Sequence, residues 1–206
     1  MPIEKMIERA REIGLDRLAV TDHNVIEGAF TAQKLAPDLI IVGEEIKTTA
    51  GEILGYFMTE EVPAYLSPKE AVQRLKDQGA VISIAHPFDR RGNAPWEWEE
   101  LVELAPMLDA VEVFNARVLT PEINNKAKAF ADEYGLANAA GSDAHSLGEI
   151  GAATLTIPIF TTADEFREAL KSAEINGHLS SPYVRLISRH ANMAKKRQKA
   201  LHPNEN

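Results

Sequence analysis

Apolar residues recur along this chain with two different periods. In residues 3–13 they return at spacings of three and four, which predicts one apolar face of a helix. Elsewhere they form short runs, such as AVISIAH at 80–86 and AVEVFN at 110–115, which are typical of buried strands. Because the two patterns alternate, we predict a parallel sheet covered by helices on its outer side, either open or closed into a barrel.

The same patterns place the individual elements. Helices are predicted at residues 3–13, 26–36, 68–78, 96–105, 121–134 and 162–173. The third of these has the clearest start, since Ser67 is a good N-cap and Pro68 suits the first helical turn. Strands are predicted at residues 17–22, 38–46, 52–58, 80–86, 110–115, 137–143 and 152–158.

Composition narrows the class of protein. The 206 residues are 45% apolar, which is enough for one domain with a full core. No apolar run approaches the ~20 residues that cross a bilayer, so we expect a cytoplasmic protein without a membrane partner. The chain has no cysteine, so any metal ion must be bound by His, Asp or Glu.

Charge is distributed unevenly along the chain. The net charge of −9 argues against broad binding to nucleic acid. Residues 185–199, however, carry six basic residues and no acid. This segment is either a solvated terminal helix or a contact for phosphate or nucleic acid. We place one domain at residues 1–175 and a C-terminal extension with this basic tail at 176–206.

Polar side chains follow the predicted strands, at the ends where the active sites of α/β proteins lie. In AGSDAH, Asp143 and His145 are two positions apart, so both side chains point to one side of an extended segment. The full set at these ends is Asp22, His23, Glu44, Glu45, His86, Glu112, Asn115, Asp143 and His145.

Several of these residues also have a purely structural interpretation. Asp22 could cap the helix that starts near residue 26, and His86 could be an ordinary histidine at a strand end. Glu112 could be the buried partner of a lysine or arginine, and Asn115 a turn residue. Independent structural roles would not place every strand-end acid and histidine at one rim, which favours a shared site.

Five stretches of the sequence carry a family resemblance. AVTDHN, VGEEI, SIAHPFD, VEVFNAR and AGSDAH, in this order, resemble the PHP (polymerase and histidinol phosphatase) family of metal-dependent phosphoesterases. The resemblance covers residues 1–175 and implies a distorted (β/α)7 TIM-like barrel. It also implies up to three divalent metal ions, of Mn, Zn, Fe or Mg.

The resemblance assigns metal ligands. It implies that His23 and His145 bind one ion. It implies that Glu45 bridges two others, of which His86 binds one and Asp143 the second.

Four more residues receive roles around these ligands. Arg117 would hold a phosphate with its planar set of donors. Asp22 would orient His23 or accept a proton from the attacking water. Glu112 and Asn115 would support the ligands from outside.

The implied activity is hydrolysis of phosphomonoesters or phosphodiesters by metal-activated water. The implied substrates are nucleotides, oligonucleotides or another phosphorylated small molecule. The alternative is a degenerate domain that binds a metal or a phosphorylated ligand without catalysis. Hydrolysis of C–N bonds in an amidohydrolase-like barrel is a weaker alternative, because no strand end offers the metal-binding lysine used there.

One part of the family pattern is missing. The family's first strand ends in His-x-His and precedes the first helix, whereas this sequence begins at that helix and contains no His-x-His. We expect about 15 to 25 further residues upstream, enough for one strand and its loop. Without them, we expect weak phosphoesterase activity or none from the 206-residue chain.

Overall fold

The computed structural model describes residues 1–90 and 96–180. Helices and strands alternate through these residues largely as predicted. In chain order they are α1 (Ile3–Glu12), β1 (Leu18–Val20), α2 (Glu27–Leu35), β2 (Ile40–Lys47), β3 (Glu52–Tyr56), α3 (Pro68–Asp77), β4 (Val81–Ile84), α4 (Trp98–Leu104), β5 (Ala110–Asn115), α5 (Pro121–Tyr134), β6 (Ala137–Gly141), β7 (Ala153–Thr156), α6 (Ala163–Leu170) and β8 (Glu174–Gly177).

Local chemistry explains where the helices begin and end. Helix α3 starts with a capping box, in which Ser67 and Glu70 accept each other's backbone N–H groups. Thr162 and Glu165 form the same motif at the start of α6. Helix α5 ends at Gly135, whose φ of 66° is a left-handed conformation that glycine adopts without strain.

Strands β1 to β6 form one sheet in chain order, and β7 and β8 form a separate antiparallel pair. The pairs β1–β2, β4–β5 and β5–β6 are parallel, but β3 is antiparallel to both of its neighbours. The prediction of a wholly parallel sheet is therefore wrong at β3. Residues 48–51 alone connect β2 to β3, whereas parallel neighbours need a crossover of about a dozen residues.

The six-stranded sheet is strongly curled. His23 follows the first strand of this sheet and His145 follows the last, yet their ring centroids are 6.1 Å apart. In a flat sheet, strands five positions apart would be separated by about 24 Å. Within the described residues the sheet is a curled half-barrel with β1 and β6 at its edges, and a closed (β/α)7 barrel is not confirmed. Strand β8 was not predicted, because EING has a single apolar residue.

The two faces of the curled sheet pack against different parts of the chain. Its convex face, with Ile40, Val42 and Ile46, packs in the main core together with residues of helices α1 to α5. Its concave face, with Ile41 and Leu54, forms a second core with residues of segment 160–170. Helix α6 therefore covers the concave face rather than the outer side, which corrects the prediction for this helix. The other end of the concave face is left to polar residues.

The predicted C-terminal extension is described only in part. Strand β8 lies at its start, and the basic tail at 185–199 lies outside the described residues, so both interpretations of that tail stay predictions. None of the helices in residues 1–90 and 96–180 combines the length and the apolar character that crossing a membrane requires.

Candidate metal centre

Two histidines and two glutamates meet on the concave face, at the carboxyl ends of β1, β2 and β4. Glu45 lies between the histidines, with Oε2 3.4 Å from His23 Nδ1 and Oε1 3.1 Å from His86 Nε2. Glu52 lies beside it, 3.8 Å from His23 Nδ1 and 3.6 Å from His86 Nε2. Ligand atoms of His23, Glu45 and Glu52 all lie within 4.8 Å of one another. We call these four residues the His–Glu cluster.

Glu52 was not among the predicted site residues. It is the first residue of β3, and β3 is antiparallel, so its amino end lies at the same rim as the carboxyl ends of the other strands. The short TTAG connection at 48–51 was the signal that could have revealed it, since four residues between two apolar runs favour a hairpin.

Asp143 and His145 form a second group beside the His–Glu cluster. His145 Nδ1 lies 3.3 Å from Asp143 Oδ1 and 2.9 Å from the backbone oxygen of Asp143. The His145 ring lies near the His23 ring at an interplanar angle of 57°, but neither Asp143 nor His145 belongs to the set of ligand atoms within 4.8 Å. Of the predicted ligands, His23 and Glu45 belong to that set, His86 contacts Glu45 at 3.1 Å, and Asp143 and His145 lie next to them.

The backbone of this site is strained at three positions. Asn24, His86 and Asp143 have positive φ angles of 54°, 25° and 48°. Residues with a side chain rarely adopt such conformations, and they occur preferentially at functional sites.

Glu112 and Asn115 connect the two groups. Glu112 Oε2 accepts hydrogen bonds from the backbone N–H of His86 at 2.9 Å and from Asn115 Nδ2 at 3.0 Å. Asn115 Nδ2 also lies 3.4 Å from Asp143 Oδ2. Gly141 faces the Glu112 carboxylate so closely that a Cβ atom there would collide with Oε1. These contacts bring Glu112 and Asn115 against His86 and Asp143, and the supporting role of the two residues stays a prediction.

Arg117 is held by two acids. Its Nη1 donates to Glu149 Oε1 at 2.5 Å, and its Nε lies 3.8 Å from Asp143 Oδ2. The second oxygen of Glu149 accepts from the backbone N–H of His145 at 3.1 Å and from the Ser146 hydroxyl at 2.8 Å. Glu149 is buried in a short 3-10 turn beyond the strand end, so the rule that found the other acids could not identify it.

Asp22 is joined to the His–Glu cluster only through its backbone, whose carbonyl oxygen accepts the Glu45 N–H at 3.2 Å. Its carboxylate faces the first turn of α2, where a Cβ added to Gly28 would lie 2.6 Å from Oδ2. The N-cap position itself belongs to Ile26, which makes no side-chain capping bond. The Asp22 carboxylate thus lies at the positive end of a helix, where a carboxylate is stabilised, and its catalytic role stays a prediction.

The protonation of the cluster follows from burial and close pairing. Burial lowers the pKa of His86, but its hydrogen bond to Glu45 and the charges of Glu112 and Glu45 outweigh this and raise the pKa to about 10. Burial raises the pKa of Glu112 to about 7 and also raises the pKa of Glu52. A cation that binds here must displace the His86 proton, so metal affinity should increase with pH.

The second group is protonated differently. The hydrogen bond between His145 and Asp143 raises the pKa of the His145 imidazole. Burial raises the pKa of Asp143, but the hydrogen bond to His145 and the neighbouring cations outweigh it and hold that pKa below its usual range. The two residues therefore form a charged pair.

Glu44 lies next to Glu45 but on the convex face. Its side chain is 0% exposed, and Oε2 accepts the backbone N–H of Val62 at 3.0 Å. Oε1 is buried and has no hydrogen-bond partner among the described residues. Burial raises the pKa of Glu44 from 4.5 to about 7. This acid has no part in the His–Glu cluster.

We expect Glu44→Gln to remove a pH-dependent cost of folding. As the pH rises from 4.5 to 7, the unfolded chain releases the Glu44 proton before the folded chain does, so wild-type stability falls by about 3 kcal/mol. The variant should therefore gain up to this amount relative to wild type between pH 5 and pH 8. Urea unfolding of both proteins in chelator would measure it. A difference that does not change with pH would contradict the prediction.

The donor set and its placement define a class of protein. Imidazole and carboxylate ligands without cysteine suit Mn, Zn, Fe or Mg rather than soft metals. Together with the curled sheet, they describe an α/β protein with a metal centre at the strand ends. The His–Glu cluster thus supports a divalent metal as the cofactor.

Comparisons with known proteins identify the family. A family model described as PHP-associated matches residues 121–175. Two uncharacterized proteins of Methanocaldococcus jannaschii are similar in sequence. One is 44% identical over 136 residues, which is 65% of this chain and 54% of that protein. The other is 36% identical over 125 residues, which is 59% of this chain and 71% of that protein. The chain thus spans about half the length of the first of these relatives.

A solved structure is similar in fold. It is a two-domain protein from Bacteroides vulgatus that contains a predicted PHP-like metal-dependent phosphoesterase. The TM-score is 0.67 at 20% identity, over 85% of this chain and 60% of that one. The chain belongs to the PHP family, as the sequence motifs indicated.

Proposed function

We propose that this protein is a metal-dependent phosphoesterase that hydrolyses phosphate esters of nucleotides, oligonucleotides or related small molecules. The observation that carries the proposal is the His–Glu cluster, in which two carboxylates lie within 4 Å of two imidazoles at the strand ends. Membership of the PHP family supports the same reaction class. The cytoplasmic location expected from the sequence stays a prediction.

The residues of the cluster fit a divalent metal. Glu45 has one oxygen facing each imidazole, which suits a carboxylate shared between two ions. Asp143 and His145 would hold a further ion beside it, and we propose up to three ions of Mn, Zn, Fe or Mg. When bound, such ions neutralise phosphate oxygens and lower the pKa of water toward neutrality.

The remaining residues would position the substrate. Arg117 brings a guanidinium to the rim beside Asp143, and its bond to Glu149 fixes that group, so we propose it as a phosphate contact. In the reaction, the oxygen of water forms a bond to phosphorus while the ester P–O bond breaks. One proton of that water ends on the leaving alcohol.

The second candidate is a domain that binds metal or a phosphorylated ligand without catalysis. It would use the same His–Glu cluster for metal and Arg117 for a phosphate group. The two candidates differ in turnover and agree in metal binding.

Turnover of generic esters tests the proposal. We expect the protein, supplied in turn with Mn, Zn, Fe(II) and Mg, to hydrolyse p-nitrophenyl phosphate or bis(p-nitrophenyl) phosphate weakly, but still faster than the free ion does. A chelator should abolish the activity and added metal should restore it. Metal retained at one or more ions per chain without turnover would favour the binding domain instead. A folded sample that retains no metal would contradict both candidates.

A further inference from the structure

Lys47 lies on the same face as the two carboxylates of the cluster. It is the last residue of β2 and comes two positions after Glu45, so both side chains point to the concave face. In the β2–β3 register Lys47 is directly opposite Glu52, and residues opposite each other in an antiparallel pair share a face. A lysine side chain therefore stands at the edge of the proposed metal centre.

The backbone of Lys47 is held from both sides. Its N–H donates to Asn24 Oδ1 at 2.8 Å, and its carbonyl oxygen accepts from the Tyr65 N–H at 2.6 Å. Both partners have left-handed backbone conformations, with φ of 54° at Asn24 and 64° at Tyr65. Such conformations are strained for residues with side chains, so two strained loops hold one rim residue in place.

Tyr65 stands beside the lysine with its side chain in solvent. It is 65% exposed, and Lys47 Nζ lies 5.8 Å from the centre of its ring. A single exposed aromatic residue is ordinary on a protein surface, but here the ring is fixed next to a cation at the rim of a site. Within residues 1–90 and 96–180, the Lys47 ammonium takes part in no ion pair. Its charge acts on Glu52, which lies opposite in the register, and can also attract an anion.

We propose that Lys47 and Tyr65 form a specificity subsite for a phosphate ester that carries a planar aromatic group. The exposed face of the Tyr65 ring would stack on that group, since aromatic side chains bind nucleobases in this way. Lys47 would contact the phosphate of the same ligand. The proposal rests on the proposed function, because it assigns the organic part of the substrate of the same site.

Two ligands that differ only in the base test the subsite. AMP and ribose 5-phosphate carry the same phosphate and sugar, so their affinities for the Mn-loaded protein separate stacking from phosphate binding. We expect wild type to bind AMP about tenfold more tightly. Tyr65→Leu should remove that difference by weakening AMP alone, while Tyr65→Phe should retain it. Lys47→Met should weaken both ligands by similar factors. Isothermal titration calorimetry with the phosphonate analogues of both ligands, whose P–C bond is not hydrolysed, measures all of these without turnover.

The outcomes separate the subsite from the activity. Equal affinities of wild type for the two ligands, or equal losses of both in Tyr65→Leu, would overturn the subsite. A Tyr65-dependent preference for AMP in a protein that hydrolyses no ester would support the subsite and reject the phosphoesterase. Ester hydrolysis without a preference for AMP would support the phosphoesterase and reject the subsite.

Discussion

Glu45→Gln is expected to lower the bound divalent metal and the ester hydrolysis by about 100-fold or more. Glu45 is placed between His23 and His86, and each of its oxygens faces one of the two rings. An amide keeps the size of the side chain but removes the charge and one of the two acceptor oxygens. Elemental analysis after dialysis, together with ester turnover, would measure both effects.

Glu44→Gln is the matched control for this experiment. It makes the same chemical change one residue earlier, but Glu44 lies on the convex face and bonds to Val62. We expect it to leave metal content and turnover unchanged. Wild-type metal content in Glu45→Gln, or an equal loss in both variants, would show that the concave cluster does not bind the metal.

Glu149→Ala is expected to lower the free energy of unfolding by about 3 kcal/mol, because it breaks a buried ion pair. Glu149 is 2% exposed and joins Arg117, the His145 N–H and the Ser146 hydroxyl. Its loss should also loosen the turn that carries Asp143 and His145, so metal content should fall with stability. Urea unfolding and elemental analysis would follow the two effects.

An exposed glutamate provides the comparison. Glu168 pairs with Lys171 at 2.6 Å on the surface of α6, where its side chain is 74% exposed. Exposed pairs of this kind contribute little, so Glu168→Ala should change the free energy of unfolding by less than about 0.5 kcal/mol. If Glu149→Ala cost no more than this control, the network around Arg117 would have no structural importance.

The site residues were predicted from the sequence by one rule, that polar residues at the carboxyl ends of strands form the site. This strand-end rule identified part of the candidate site for a physical reason. Carboxyl ends of parallel strands meet at one rim, so His23, Glu45 and His86 could be grouped before any coordinates were known. The rule also selected Glu44, which the alternation of β2 turns to the opposite face. It selected Asp22 as well, whose carboxylate lies against α2 instead. Position at a strand end therefore predicts the rim but not the direction of each side chain.

The residues that the rule missed reach the site in other ways. Glu52 comes from the amino end of an antiparallel strand, and Glu149 from a turn beyond a strand end. Tyr65 belongs to the loop after β3, and its backbone N–H donates to the carbonyl oxygen of Lys47 at the end of β2. None of these residues directly follows the carboxyl end of a parallel strand, so no periodic pattern in the sequence identifies it.

The sequence by itself determined the alternation of helices and strands, the main helix boundaries and the family, because apolar periodicity, capping residues and short motifs are local properties. Tertiary structure decided the antiparallel direction of β3, the entry of α6 into the concave face and the curl that brings His23 near His145. These features depend on how sheet twist and packing bring distant segments together, and contacts over such distances leave no periodic trace in a single chain.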